Sequence, residues 1–269
     1  QMCIRDRNRG LFDREAAEML TSRQAELSEQ TGNPAILHIY ARTAEAFRRY
    51  LEFSESAWQG PFIIDSADPE VRIAAAGMVT EIGYADMAIY NSLSYATDGA
   101  ELEALGSSEL DSAIVLAYSP TDPGVKGSLD LLETGGSCRE RGLLAIAREA
   151  GISNLLIDPG ALPLGSGSGA SLRFCVLAKA RLGLPVGSGI HNSVSAWPWI
   201  RSRNAQTRRC CDAAAAAMQV LTADFLLYGP IEHAEFIFPV AAMADIMVAE
   251  AVQDLGTLPE DGHPLHRLV

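Results

Sequence analysis

Four residues able to bind or polarise a small molecule stand at the ends of short apolar runs. Asp65 follows Phe62-Ile63-Ile64, Asn91 follows Ala88-Ile89-Tyr90, Asp158 follows Leu155-Leu156-Ile157, and Asn192 comes shortly after Pro185-Val186-Gly187. An Asp or Asn in such a place ordinarily caps the next helix, because its short oxygen accepts backbone N–H groups. Four of them on four separate strands are read instead as one site, since the carboxyl ends of parallel strands converge in an α/β architecture. Ser119 with Asp122 and the pair Gly229-Pro230 close two further runs.

The residue types narrow the chemistry. Two carboxylates and two carboxamides suit a heterocycle with paired N–H donors. A carboxylate accepts two parallel hydrogen bonds from an amidine-like edge, and a carboxamide donates or accepts as needed. The 2-amino-pyrimidinone edge of a pterin is such a partner. Schiff-base chemistry needs a desolvated Lys, yet the only two lysines, Lys126 and Lys179, close no run. Metal-assisted hydrolysis needs clustered His and carboxylates, whereas His38, His191 and His233 lie in separate segments. No bound metal is expected.

The elements that must hold these residues follow from hydrophobic pattern. Runs at 35–40, 62–65, 87–91, 113–118, 155–158, 185–187 and 225–228 predict buried strands. Ala-rich amphipathic segments at 44–53, 69–82, 101–105, 139–150, 172–182 and 211–221 predict the helices between them. A helix over 11–29, capped by Asp13 and stopped by Gly32-Asn33-Pro34, precedes the first run, and another over 239–255 follows the last. Strands apolar on both faces and separated by helices imply a parallel sheet covered on both sides. Seven such units in series predict a (β/α) barrel rather than an open doubly wound sheet. The first helix has no strand before it, so the barrel's first strand is expected to be missing. Residues 1–10 fit no element and are expected to be an unstructured or artefactual start, with 11–269 a single barrel domain.

Composition agrees with this class. A chain of 269 residues, 48% hydrophobic and 20% charged, suffices for one barrel of about 250 residues. Its net charge of −13, with 19 Arg and two Lys, is a poor match for nucleic acid or an anionic membrane. No apolar stretch approaches the roughly 20 residues of a membrane span, and no secretory signal is visible, so a cytoplasmic location is expected. Five irregularly spaced cysteines (Cys3, Cys138, Cys175, Cys210, Cys211) fit reduced thiols better than a disulfide framework.

Longer strings carry a family resemblance. Ile64-Asp65-Ser66, Ile89-Tyr90-Asn91-Ser92, Leu162-Pro163-Leu164-Gly165-Ser166-Gly167-Ser168-Gly169, His191-Asn192-Ser193-Val194-Ser195-Ala196-Trp197 and Asp224-Phe225-Leu226-Leu227-Tyr228-Gly229-Pro230 resemble the pattern of the H subunit of tetrahydromethanopterin S-methyltransferase. That family also includes bacterial methylcobalamin:tetrahydrofolate methyltransferases. The likeness runs from about Gly10 to Leu268. Asp158-Pro159-Gly160 alone is shared with dihydropteroate synthase and other pterin barrels. Two departures stand out: the family's amino-terminal segment with its first strand is absent, and the 201–217 region is shorter and less familiar.

The resemblance implies a (β/α)8 TIM barrel of the pterin-binding, dihydropteroate synthase-like type, acting as a homodimer. It implies transfer of a methyl group between N5 of a tetrahydropterin (tetrahydrofolate or tetrahydromethanopterin) and the cobalt of cobalamin carried by a separate corrinoid protein. Carried over by position, Asp65, Asn91 and Asp158 bind the pterin ring and Asn192 approaches N5; Asn192 and Asp65 are the catalytic candidates. A neutral tertiary amine leaves badly, so N5 must gain a proton. Asn192 can follow that change without titrating, while Asp65 or an ordered water relays the proton. Ser66, Ser92, His191, Gly165 and Gly167 are further candidates. His191 is weighed toward packing or capping, Trp197 and Trp199 toward barrel-wall packing, and the Gly/Ser loop equally between anion cradle and flexible connection. Arg72 and Arg173 are weaker candidates for a folate tail. Two alternatives stay open: a non-catalytic corrinoid-partner or scaffold subunit, and another pterin enzyme of the dihydropteroate synthase type, which calls for a basic residue on a pyrophosphate.

Overall fold

Phe62-Ile63-Ile64, buried on both faces, forms the inner part of a parallel sheet whose strands alternate with helices. The computed structural model describes residues 4–6 and 8–269, so Cys3 lies outside the described residues. Two compact units make up the chain. One runs from the chain start to Thr21 and continues with Ile36–Asp158; the other comprises Ser22–Ala35 and Pro159–Val269.

The first unit opens with an antiparallel ribbon of β1 (Ile4–Asp6) and β2 (Leu11–Phe12). The helix expected from Leu11 begins only at Arg14, because Leu11 and Phe12 pair with Ile4–Asp6 instead. The Asp6 carboxylate accepts from the backbone N–H groups of Asn8 and Arg9, closing the turn. Phe12 then packs edge-on against Tyr50 and Phe53, which anchors the returning strand. Helix α1 (Arg14–Thr31) follows, with Asp13 accepting from Ala16 N–H as its cap.

The sheet itself is β3 (Leu37–Tyr40), β4 (Phe62–Asp65), β5 (Ala88–Leu93), β6 (Ser112–Leu116) and β7 (Asn154–Asp158), parallel and in chain order. Between them run α2 (Ala44–Ala57), α3 (Pro69–Glu81), α4 (Gly99–Ser107), α5 (Val125–Glu133) and α6 (Leu143–Glu149). Thr43, Asp68 and Asp98 cap the first three of these with their side chains. Helix α5 is additional to the helices expected from sequence, and the helix expected over 139–150 starts only at Leu143. Gly142 sets that start: a Cβ there would lie 2.3 Å from the Glu133 carbonyl oxygen, so only glycine lets the chain pass the end of α5 so closely.

The second unit contains α7 (Gly169–Leu182), β8 (Gly187–Ser188), α8 (His191–Ser195), α9 (Pro198–Arg201), α10 (Ala205–Val220), β9 (Phe225–Leu226), α11 (Ala234–Val252) and α12 (Pro264–Leu268). Strands β8 and β9 pair in parallel over two residue pairs, shorter than the runs at 185–187 and 225–228 imply. Asp224 shortens them: its carboxylate accepts from Val186 N–H and its own N–H donates to Val186 O, ahead of the ladder. Pro239, expected to open the last helix, lies inside α11, which begins at Ala234 after a turn over Ile231–His233. One apolar cluster joins Ile190, Val194, Ile200 and Ala215 with Trp197, Cys211 and Leu226. Another joins Leu27, Ala234 and Phe238 with Ala35 and Tyr228. The 22–35 segment is tied to this unit by Arg23–Glu235 (2.6 Å), by Asn33 donating to Asp245 (2.5 Å), and by the Tyr228–Gln24 hydrogen bond. Among the described residues no helix is long and apolar enough to cross a membrane.

Candidate functional site

Register decides which side chains meet on the first unit's sheet. Asp65 pairs with Tyr40 on one side and Asn91 on the other; Asn91 pairs with Ile114; two residues further, Leu116 pairs with Asp158. Registered neighbours in parallel strands point to the same side, and residues two apart do so again. His38, Tyr40, Asp65, Asn91 and Asp158 therefore share one face at the carboxyl ends of the strands. Ile39, Ile64, Tyr90, Val115 and Ile157 occupy the other. With strands about 4.8 Å apart, Asp65 and Asn91 are direct neighbours, and Asp158, two strands over and two residues further along, stands roughly 12 Å from Asn91. Three of the four pterin-ring candidates are thus brought together. Asp158 is 8% exposed and Asp65 is partly buried.

Asp65 has a partner that sequence pattern does not name. His38 Nε2 lies 2.9 Å from Asp65 Oδ2. A carboxylate accepts here from the ring tautomer that carries its hydrogen on Nε2. His38 and Tyr40 alternate on their strand and so share a face; pairing registers Tyr40 with Asp65 and His38 with Ile63, from where the imidazole reaches the carboxylate.

At Asn91 the β5–β6 ladder slips by one residue, between Asn91 and Leu93, and the Asn91–Ser92 peptide is cis. Ser92 sits partly buried at that slip. Ser66 is buried and engaged at the start of α3, where its hydroxyl accepts from Asp68 N–H at 3.1 Å.

The opposite face is held by a buried polar cluster. Arg72 donates to Glu101 through Nε (2.9 Å) and Nη2 (2.6 Å) and to the Ser66 carbonyl (2.6 Å), while the Tyr90 hydroxyl donates to the same carboxylate. Glu101 is 2% exposed, and burial pushes the Tyr90 phenol well above its ordinary range. Arg72, a candidate for a folate tail by sequence, is committed to Glu101 on the helix-covered side.

In the second unit Asn192 is the second residue of α8, exposed, with its N–H donating to Gly189 O at 2.9 Å. A Cβ at Gly189 would come 3.0 Å from Asn192 Nδ2, so glycine there leaves the carboxamide its room. The His191 ring is held by the Leu227 carbonyl, 3.0 Å from Nδ1. Gly165 (φ +88°) and Gly167 (φ +108°) lie in exposed turns. Ser166 and Ala170 there donate to Pro163 and Gly167 carbonyls. Trp197 packs on the Ile190 cluster, but Trp199 is 45% exposed, stacked on Trp197 at 4.6 Å with the Arg203 guanidinium 4.1 Å from its ring centre. Packing accounts for the first tryptophan and not for the second.

Burial also raises the Asp212 carboxyl to about 6 and lowers the His233 imidazole; the two stand 3.8 Å apart. Neither has a sequence signal, because desolvation depends on neighbours distant in the chain. Among the described residues no three His, Cys, Asp or Glu side chains are grouped to hold a metal ion. On the sheet face of the first unit, Asp65 and Asp158 carry carboxylates and Asn91 a carboxamide, groups of the kind that match the edge of an amide-like ring.

Comparison with known proteins bears on both fold and family. Dihydropteroate synthase from Xanthomonas albilineans superposes with a TM-score of 0.55 at 22% identity, covering 91% of this chain and 87% of that one. The Yersinia pestis enzyme gives 0.56 at 16% identity, covering 90% and 89%. These likenesses assign the fold class: α/β, a (β/α)8 barrel like that of dihydropteroate synthase. In sequence the chain is 47% identical over 270 residues to the H subunit of the putative methyltransferase mtx from Methanosarcina barkeri, covering 99% of this chain and 87% of that protein. It is 43% identical over 279 residues to the H subunit of tetrahydromethanopterin S-methyltransferase from Methanocaldococcus jannaschii, covering 99% and 88%. The model of the tetrahydromethanopterin S-methyltransferase MtrH subunit family matches residues 1–260. The chain belongs to that methyltransferase subunit family.

Proposed function

We propose that this chain binds a methylated tetrahydropterin and moves its N5 methyl group to or from the cobalt of a corrinoid held by a separate protein. The observation that carries the reading is the alignment of Asp65, Asn91 and Asp158 on one sheet face at the strands' carboxyl ends, in a chain of this family. The three side chains hold the pterin ring by its N–H and carbonyl edge. Asn192 meets N5. In the demethylating direction the C–N bond breaks with its electron pair staying on nitrogen, and N5 takes a proton, relayed by Asp65 or an ordered water, to leave as a neutral amine. The Asn192 carboxamide stays hydrogen-bonded to N5 before and after that proton arrives, since it both donates and accepts. In the other direction it orients the N5 lone pair. The corrinoid supplies the methyl-exchanging cobalt and belongs to its own carrier. A homodimer working in the cytoplasm completes the proposal.

Isothermal titration with 5-methyl-tetrahydrofolate and with 5-methyl-tetrahydromethanopterin tests it, followed by an absorbance assay of methyl transfer to free cob(I)alamin. Binding of at least one pterin, weakened more than about a hundredfold by Asp158→Ala, is expected. Failure to bind either pterin would overturn the reading in favour of a non-catalytic role.

A further inference from the structure

The His38–Asp65 contact is made of two side chains on adjacent strands, both on the face that carries Asn91 and Asp158. Both are partly open, with 35% of the His38 and 22% of the Asp65 side chain exposed, so the pair is neither a core contact nor a loose surface one. A carboxylate has about four acceptor positions and, alone on a strand end, several rotamers. His38 occupies Oδ2 and leaves Oδ1 as the uncommitted acceptor. The imidazole is rigid beyond two torsions and is carried by a strand, so it restrains Asp65 at little entropic cost. Tyr40, two residues on and 42% exposed, flanks the pair on the same face. Main-chain ties complete the frame: Ala41 N–H donates to Asp65 O at 3.0 Å, so the backbone carrying the histidine also fixes the backbone carrying the acid.

We propose that His38 is a positioning residue for the tetrahydropterin: its Nε2–H holds the Asp65 carboxylate in the one orientation that receives the ring's N–H donors. This rests on the methyl-transfer reading above and deepens it. Binding and transfer separate cleanly here. A residue that orders a ring-binding acceptor acts on the bound ground state and the transition state alike, so its loss raises KM and leaves kcat nearly unchanged. A residue that itself delivered the N5 proton would lower kcat.

The test compares His38→Ala and His38→Gln with the unaltered chain, using 5-methyl-tetrahydropterin as donor and free cob(I)alamin as acceptor. His38→Ala should raise the KM for the pterin by on the order of 10- to 50-fold, as for a lost charge-assisted hydrogen bond, with kcat within about threefold. His38→Gln places an amide N–H near the same point and should recover KM to within about fivefold. Thermal melting of each variant checks that the fold persists. A fall in kcat at constant KM overturns the positioning role, as does an unchanged KM in His38→Ala or a glutamine that recovers nothing. The contact has a readout of its own: 15N NMR should show His38 protonated at Nε2, with that resonance moving in Asp65→Asn. If the resonance behaves so but no pterin binds the unaltered chain, the methyl-transfer reading has failed and the role assigned to His38 falls with it. If pterin binds and the resonance ignores Asp65→Asn, only the His38 inference has failed.

Discussion

At the scale of single residues, the site divides binding from chemistry. Asp65, Asn91 and Asp158 are proposed to recognise a ring by complementary donors and acceptors, a task that costs affinity when it fails. Asn192, proposed at N5, acts on a bond being broken. Asn192→Ala should therefore leave pterin affinity within about tenfold while slowing methyl transfer more than about a hundredfold, read by titration and by single-turnover absorbance. Loss of binding with an unchanged rate would move Asn192 into the recognition set. A second residue-scale outcome concerns Asp212, whose carboxyl is raised by burial to about 6, from 3.8. Its protonated form is favoured in the fold, so the native state binds more protons than the unfolded chain between those values. Stability from this group thus falls as pH rises from about 4 to about 6 and stays low above. Asp212→Asn should raise the melting temperature by roughly 4 °C at about pH 7.5, on the order of 1–2 kcal/mol, and leave it unchanged near pH 4. An equal gain at both pH values would assign the effect to packing.

At the scale of elements, one polar cluster joins α3, α4 and β5 on the helix-covered side of the sheet. Glu101 is deeply buried and Arg72 largely so; both bond the Tyr90 hydroxyl, and Arg72 also donates to the Ser66 carbonyl. Removing one ion of such a pair strands the other in a poor solvent, which costs about 3–5 kcal/mol. Arg72→Met should accordingly lower the midpoint of urea unfolding substantially, and Arg72→Met with Glu101→Leu should recover much of the loss. A double variant as unstable as the single one would show that the cluster does more than satisfy its own charges. Caps are the most readable part of these elements. Asp13 is named as a cap from sequence and accepts an N–H group in the structure, which adds Asp68 and Asp98 in the same role. Helix α5 is harder to foresee, because Val125–Glu133 follows a Pro- and Gly-containing stretch and gains its definition from burial of Leu131 and Leu132.

At the scale of the whole molecule, acidity governs behaviour in solution. With a net charge of −13 and an isoelectric point near 4.8, the chain should reach its solubility minimum close to pH 4.8, measured as turbidity across a pH series. A minimum displaced by a full unit would mean that folding shifts many carboxyls at once. Much of the architecture is legible in the amino-acid order. The strand runs ending at Asp65, Asn91 and Asp158 are local patterns of apolar residues, and a parallel sheet follows from their being apolar on both faces. The polar residue that closes each apolar run can be named from sequence because it is a local property, although β5 continues past Asn91 to Leu93. Pairing is not local. That Asp65 and Asn91 are neighbours, that His38 reaches Asp65, and that Arg72 turns away to Glu101 depend on register and on which face each residue takes, and a shift of one residue would exchange the faces. Amino-acid order alone thus determined which groups were available for recognition and roughly where each strand and helix lay. Tertiary structure decided which of those groups stand together and which are spent on holding the fold, because burial and hydrogen bonding are set by neighbours tens of residues away.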